Sequence, residues 1–413
     1  MNAGTVLVAG LGLLTLMASV ASAQCQERWR KLRAPISNPP WPQLSARCVA
    51  TFDADGPGGA SGQFVIGGGQ YAPIGQPAPG VASSDGIGVT ALPGIRSSVQ
   101  AMVMYQESLY AAGEGFLNSE GIGSALVRWT GSTWVGVGNI SGQINALCVY
   151  NDELILGGNF FNVGGQSIPR LARYNGTNFL PVSAFAGTAT IRLLGVHDGK
   201  LYAAGTSGSI GGVFTQGMAS WDGTTWTAVP GNIAGAQQYG LASFRGKLIL
   251  VGYGLALPQP SSVQQFDGTN WTPLGNMVSA PVYSIATRGD ECFIGGPFGG
   301  IGSQAALYIA RLPAGGATWT AMPDVTTGMP GVQTPVTGIT EWNGSIVAVG
   351  NGHVSVWGIC RADFNCDGVA DFFDYLDFVS AFAAGETAAD FNNDTVVDFF
   401  DYLDFVEIFA VGC

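Results

Sequence analysis

Residues 146–158, ALCVYNDELILGG, and, after a variable stretch, residues 171–179, LARYNGTNF, spell one structural unit of this 413-residue chain. An apolar run ends on Tyr150 and turns at Asn151-Asp152. A second run ends on Gly157-Gly158, and a short hairpin then joins Tyr174 to Phe179 around Asn175-Gly176. Short apolar runs bounded by Asn, Asp and Gly read as antiparallel strands joined by tight turns.

The unit recurs. Equivalent turns, such as His197-Asp198-Gly199-Lys200 and Glu341-Trp342-Asn343-Gly344, supply the positive φ that two-residue hairpins require. Placed in register, they give anchors at Phe52, Tyr105, Tyr150, His197, Phe244, Arg288 and Trp342, separated by 53, 45, 47, 47, 44 and 54 residues. The closing hairpin repeats as Trp129 to Trp134, Trp221 to Trp226 and Phe266 to Trp271, and second strands end on Gly67-Gly68, Gly157-Gly158 and Gly295-Gly296. Four short strands per unit over seven units predict an all-β seven-bladed β-propeller, with a six-bladed ring as the alternative count. The pattern resembles degenerate kelch repeats and covers about residues 27–360. The paired aromatics read as glue between blades rather than sugar-stacking platforms, because each sheet needs its neighbour to cover an apolar face. A binding face is then expected in the irregular loops at 53–62, 114–123, 206–217, 254–262 and 297–305.

Composition changes abruptly after Cys360. Residues 361–413 contain ten Asp and two Glu against one basic residue, Arg361, so −11 of the chain's net −12 lies in this tail. Within it a 27-residue unit occurs twice. The first copy sets Asp363, Asn365, Asp367, Asp371 and Asp374 at loop positions 1, 3, 5, 9 and 12, with Gly368 at 6 and the Val369 carbonyl at 7. The second sets Asp390, Asn392, Asp394, Asp398 and Asp401 in the same register, with Val396 at 7. This mixture of carboxylate, amide and carbonyl oxygens around one tight turn is what Ca2+ coordination requires, and two Ca2+ ions are expected. Each loop runs into the string DFFDYLDFV, at 371–379 and 398–406. These segments read as helices, with Tyr375, Leu376, Val379 and Phe382 on one stripe and Tyr402, Leu403, Val406 and Phe409 as its counterpart.

Two tandem loop-plus-helix units resemble a type I dockerin domain over residues 363 to about 410. The resemblance implies calcium in each EF-hand-type loop and docking of the duplicated helices to a cohesin-like or cell-surface protein. The chain departs from the family where Thr395 replaces the glycine of the second loop and where position 9 is Asp. Positions 10 and 11, which in the family carry small polar or basic recognition residues, are Phe372-Phe373 and Phe399-Phe400. Those phenylalanines have two readings, as the core of a small module or as a partner surface.

At the other end, the apolar run over residues 5–20 leads into Ala21-Ser22-Ala23, an A-x-A cleavage signal. The expected organisation is a signal peptide at 1–23, a propeller at 24–360 and a calcium module at 361–413 in a secreted or cell-surface protein with no later membrane span. The seventh unit stops after its third strand near Trp357, while Glu27 to Leu32 resembles an orphan fourth strand. The N-terminus is therefore expected to complete the last blade. That places Cys25 and Cys360 at the tip of the interrupted hairpin and predicts a disulfide between them; a similar argument pairs Cys366 with Cys413. Cys48, Cys148 and Cys292 remain as buried thiols.

Catalysis finds little support. His197 and His353 are the only histidines, too few for a His-rich zinc or copper site. Propeller acids such as Asp222, Asp267, Asp290 and Glu291 fall mostly in turns. A propeller near electroneutrality is a poor partner for nucleic acid. Two functions remain. One is a secreted non-catalytic protein whose propeller recognises a protein or glycan and whose tail docks it to an assembly. The alternative is a dockerin-bearing glycoside hydrolase or lyase, since a glycosidase needs only two carboxylates.

Overall fold

A computed structural model of the chain describes residues 27–32, 45–52, 62–69, 80–86, 89–95, 97–117, 123–182, 187–255, 261–278, 280–322, 334–351, 353–367, 370–391 and 394–411. The expected signal peptide, Cys25, Gly368, Val369, Asn392 and Cys413 lie outside the described residues. Two compact units are present. One is Glu27–Ile359 with Asn392–Asp394, and the other is built on Cys360–Phe391 and Thr395–Cys413.

The larger unit is made of β-strands. First strands at Ser45–Phe52, Val99–Tyr105, Ser141–Tyr150, Ile191–His197, Gln237–Phe244, Ser284–Arg288 and Val336–Trp342 each end on an anchor residue of the repeat. The six from Val99–Tyr105 onward then reverse through a tight hairpin with positive φ, as at Gln106-Glu107 (47° and 58°) and Asn151-Asp152 (48° and 58°), the geometry that matches the twist of the flanking strands. A third and a fourth strand follow, so antiparallel sets of four recur along the described residues, the second and third sets being bridged through Gln143 and Glu114. Each first strand lies against the first strand of the next set, and Val336–Trp342 lies against Ser45–Phe52. The sheets thus close into a ring, a propeller-like fold. The last sheet takes its outer strand from the other end of the chain: Arg28–Lys31 pairs antiparallel with His353–Gly358, setting Trp29 opposite Trp357.

The recurrent aromatics are inter-sheet packing. Trp129 and Trp134 meet at 5.1 Å and share one buried cluster with Phe52, Val65 and Val99. The Tyr105 and Tyr150 hydroxyls donate to the Asp152 and Gly199 carbonyls of the following sheet at 3.2 and 3.1 Å. The paired glycines answer two separate crowding problems. A Cβ on Gly157 would strike Ile191 of the next sheet, whereas one on Gly158 would overlap the Gln143 carbonyl of its own first strand. Gly158→Ala is therefore expected to cost about 1–3 kcal/mol of stability. Urea denaturation measures it, and an unchanged midpoint contradicts the close approach.

The smaller unit pairs helix α1 (Phe372–Ala384) with helix α2 (Phe399–Val411), joined through a short turn at Thr387–Ala389. Asp371 accepts from Phe373 N–H at 2.8 Å and Asp374 accepts from Asp371 N–H at 2.8 Å, a capping box that starts α1. Gly385, at φ 66°, ends it. The core is a face-to-face stack of Phe378 on Phe405 at 3.9 Å, surrounded by Ala381, Ala389 and Phe391. The expected stripe is corrected at one position. Leu376 and Leu403 are exposed, and Phe378 and Phe405 face inward instead, because Tyr375, Phe378, Val379 and Phe382 keep the i, i+3, i+4, i+7 spacing of one helix face. Among the described residues no helix is long and apolar enough to cross a membrane.

Candidate functional site

The acidic loops are wound by their own carboxylates. Asp374 and Asp401 are fully buried. The Asp374 carboxylate accepts from Asn365 N–H at 2.9 Å and from Asp371 N–H, and Asp401 accepts from Phe391 N–H at 2.5 Å and Asp398 N–H at 2.8 Å. The last position of each loop is thus tied back to its start. Asp363 is also buried, Asn365 Oδ1 accepts from Asp367 N–H at 2.9 Å, and Asp390 accepts from Thr395 N–H at 2.9 Å. Thr395 stands at φ 76°, the left-handed conformation that glycine adopts without strain. Val396 is exposed.

Among the described residues, no three His, Cys, Asp or Glu side chains are gathered closely enough to hold a metal ion by themselves. The oxygens that the loops offer are nonetheless of the hard carboxylate and amide kind that suits calcium. Arg361, the tail's one basic residue, stacks on the Phe391 ring at 3.9 Å and donates to the Phe391 carbonyl. It interacts electrostatically with Asp404, Asp390 and Asp401, on the side of the second loop.

Phe372, Phe373, Phe399 and Phe400 are 63–65% exposed, which corrects the reading of these pairs as core. Both helices begin at these residues, and none of the four joins the buried cluster around the Phe378–Phe405 stack. Phe372 stacks on Tyr375 at 6.2 Å and Phe399 on Tyr402 at 6.1 Å, and the two tyrosine hydroxyls meet at 3.2 Å. Four aromatic rings therefore form a row with internal two-fold similarity.

In the larger unit, Asp222 and Asp267 behave as turn residues. Backbone N–H groups of Thr225 and Thr224, with the Thr224 hydroxyl, hold the Asp222 carboxyl down at about 2. Asp290 is gripped by Arg245. Glu291 departs from the turn expectation: it is buried in a second strand and meets both Arg288 and Arg311. Arg288 also reaches Glu27 and the Gly344 carbonyl, and Trp357 Nε1 donates to Glu27 at 3.1 Å. Burial alone would raise the Glu291 carboxyl, but hydrogen bonds and charge from Arg288 and Arg311 outweigh it and hold the group below its ordinary value. A carboxylate clamped in this way is a poor proton donor near neutral pH. The signal in the sequence is Arg288 itself, at an anchor position that the other units fill with Phe, Tyr, His or Trp.

Of the expected binding loops, 206–217 and 297–305 contain small hairpins, Gly208–Ile210 with Val213–Thr215 and Gly300–Ile301 with Gln304–Ala305. Cys360 and Cys366 each take part in a disulfide, and the expected partners, Cys25 and Cys413, lie outside the described residues. Cys48, Cys148 and Cys292 are free, with Cys292 fully buried and the other two partly so, and burial pushes each thiol up to about 12.

No family model and no curated protein sequence matches the chain. Solved structures similar to it include two of the extracellular domain of BT4673 from B. thetaiotaomicron, with TM-scores of 0.51 and 0.52 at 11% and 10% identity. They cover 80% of this chain and 40% and 39% of those chains, so this chain spans about 40% of their length. Streptogramin B lyase is a more distant likeness, with a TM-score of 0.47, 13% identity and coverage of 81% of this chain and 98% of that one. At such identities the BT4673 likeness concerns the fold, which is that of a propeller-like β protein.

Proposed function

We propose that the chain is a secreted, non-catalytic binding protein. In this reading a seven-bladed, kelch-like propeller presents a recognition surface for a protein or glycan. A dockerin-like tail, stabilised by two Ca2+ ions, attaches it to a cohesin-like or cell-surface partner. The observation that carries the docking half is the duplicated exposed phenylalanine pair, Phe372 and Phe373 on one helix and Phe399 and Phe400 on the other. Large apolar side chains held in water at the ends of two similar helices are costly to a monomer and typical of interaction surfaces. The hydrolase alternative has no comparable observation behind it.

The test uses the full chain as bait against secreted proteins of its source, in calcium and in chelator, beside a variant with all four phenylalanines changed to Ser. A partner retained in calcium and lost from the variant supports docking. Equal recovery by the variant rejects the phenylalanines as the docking surface.

A further inference from the structure

The first strands share a defect at one register. In six of them the pairing with the second strand slips by a residue near the strand's start, leaving Arg47, Gln100, Asn145, Arg192, Tyr239 and Thr337 out of the ladder. The remaining first strand begins at Ser284, directly after Tyr283, whose N–H donates to Gly295 at 2.7 Å. Such bulges re-aim a side chain out of the regular pleat and gather beside functional sites. Residues two places further along, such as Val49, Leu147, Leu194, Leu241 and Ile339, pack in the apolar clusters. The bulged positions carry only charged, amide, hydroxyl or phenol groups.

These side chains reach from sheet to sheet. Arg47 Nη1 donates to Gln100 Oε1 at 3.3 Å, Asn145 Nδ2 to the Ile191 carbonyl at 2.8 Å and Arg192 Nη1 to the Ala236 carbonyl at 3.3 Å. Tyr239 and Tyr283 meet edge to face at 5.0 Å, and the Thr337 hydroxyl donates to the Ala46 carbonyl at 2.6 Å. Because the first strands succeed one another around the ring, the bulged residues form a polar circlet at one end of it. Its order is asymmetric. The two arginines bracket the two amides on one arc, and the two tyrosines sit side by side on the other. Neither arginine forms an ion pair among the described residues. One carboxylate borders the arc, Glu114, which pairs with Gln143 two residues before Asn145. Tyr239 and Arg47 are exposed.

We propose that this circlet is a binding site for an acidic saccharide, with Arg47 and Arg192 taking the carboxylate, Gln100 and Asn145 the hydroxyls, and Tyr239 and Tyr283 a face of the sugar ring. Unpaired guanidinium groups suit carboxylate, and tyrosine presents an apolar face beside a polar tip. The inference rests on the reading of the propeller as a binder and narrows its ligand.

The experiment titrates the full chain calorimetrically with a hexuronic acid tetrasaccharide and with the tetrasaccharide of the corresponding neutral hexose. At least tenfold tighter binding of the acidic probe is expected. Arg47→Met with Arg192→Met should abolish that preference, and Tyr239→Ala should weaken both probes. Should the double variant not fold, salt titration of the unaltered chain decides, since affinity for the acidic probe must fall as ionic strength rises. Equal affinity for the two probes, or salt-independent binding, overturns the proposal. Saccharide binding untouched by the substitutions overturns the circlet while leaving the propeller a binder. Binding of neither probe overturns the circlet as well; the broader reading then falls only if the full chain also captures no secreted protein through the propeller.

Discussion

Chelation of calcium is expected to abolish the helical circular dichroism of the tail while leaving the β-sheet signal of the propeller-like unit in place. The reason is charge. Twelve acids and one basic residue share residues 361–413, and two of the carboxylates, Asp374 and Asp401, are fully buried. Arg361, the one basic residue set against those acids, interacts with Asp404, Asp390 and Asp401 of the second repeat. On the proposed two-calcium reading, such a unit gains its folding free energy with the ion. Calorimetric titration should resolve two sites. The second should be weaker, because Thr395 holds φ 76° without a glycine's freedom, a strain of about 1–2 kcal/mol. Thr395→Gly is accordingly expected to tighten that site by about tenfold. Asp374→Asn should remove the first site and spare the second. A helical spectrum that persists in excess chelator, or Thr395→Gly binding no tighter, contradicts the coupling.

How much of this was legible in the sequence follows from which signals are local. Two of the hairpin turns declare themselves, Asp198-Gly199 and Asn343-Gly344, because such pairs suit two successive positive φ angles, and register with them places the glycine-free turns Gln106-Glu107 and Asn151-Asp152. The anchors placed by those turns, from Phe52 to Trp342, are the last residues of the first strands. The orphan strand around Trp29 was readable for the same reason, since the last unit lacks one strand and the N-terminus has one to spare. What stayed hidden depends on how elements end or slip. The phenylalanine pairs allow a core reading as well as a surface one until the helices are seen to start at Phe372 and Phe399 with all four rings exposed. Glu291 reads as a turn acid until Arg311, 20 residues on, is brought across the sheet to it. The bulged residues leave no trace in a single strand, because a one-residue slip has no period of its own.

The other large effect is expected at the closure of the ring. Trp29 is buried, lies 5.4 Å from Trp357 and belongs to a cluster with Phe293, Ile309 and Ile346. It is also the one buried tryptophan in the four-residue strand Arg28–Lys31 that completes the last sheet. Trp29→Ala should therefore cost about 3–5 kcal/mol by guanidinium denaturation, and removal of residues 24–32 should cost more, since it also exposes the edge of His353–Gly358. The ionic cluster beside it adds a pH dependence of known sign. Glu291 is held below its ordinary value in the folded protein. The stability it contributes is thus fully present above its unfolded pKa and is lost as pH falls through the lower folded value. Below about pH 4, in the range where model carboxylates titrate, the difference between the unaltered chain and Glu291→Gln should shrink. Above that pH the Gln variant should be the less stable, because Arg288 and Arg311 then share one carboxylate, Glu27, in place of two. A Trp29→Ala protein with an unshifted midpoint, or a Glu291→Gln difference that grows as the pH falls, is incompatible with a ring locked by its N-terminal strand.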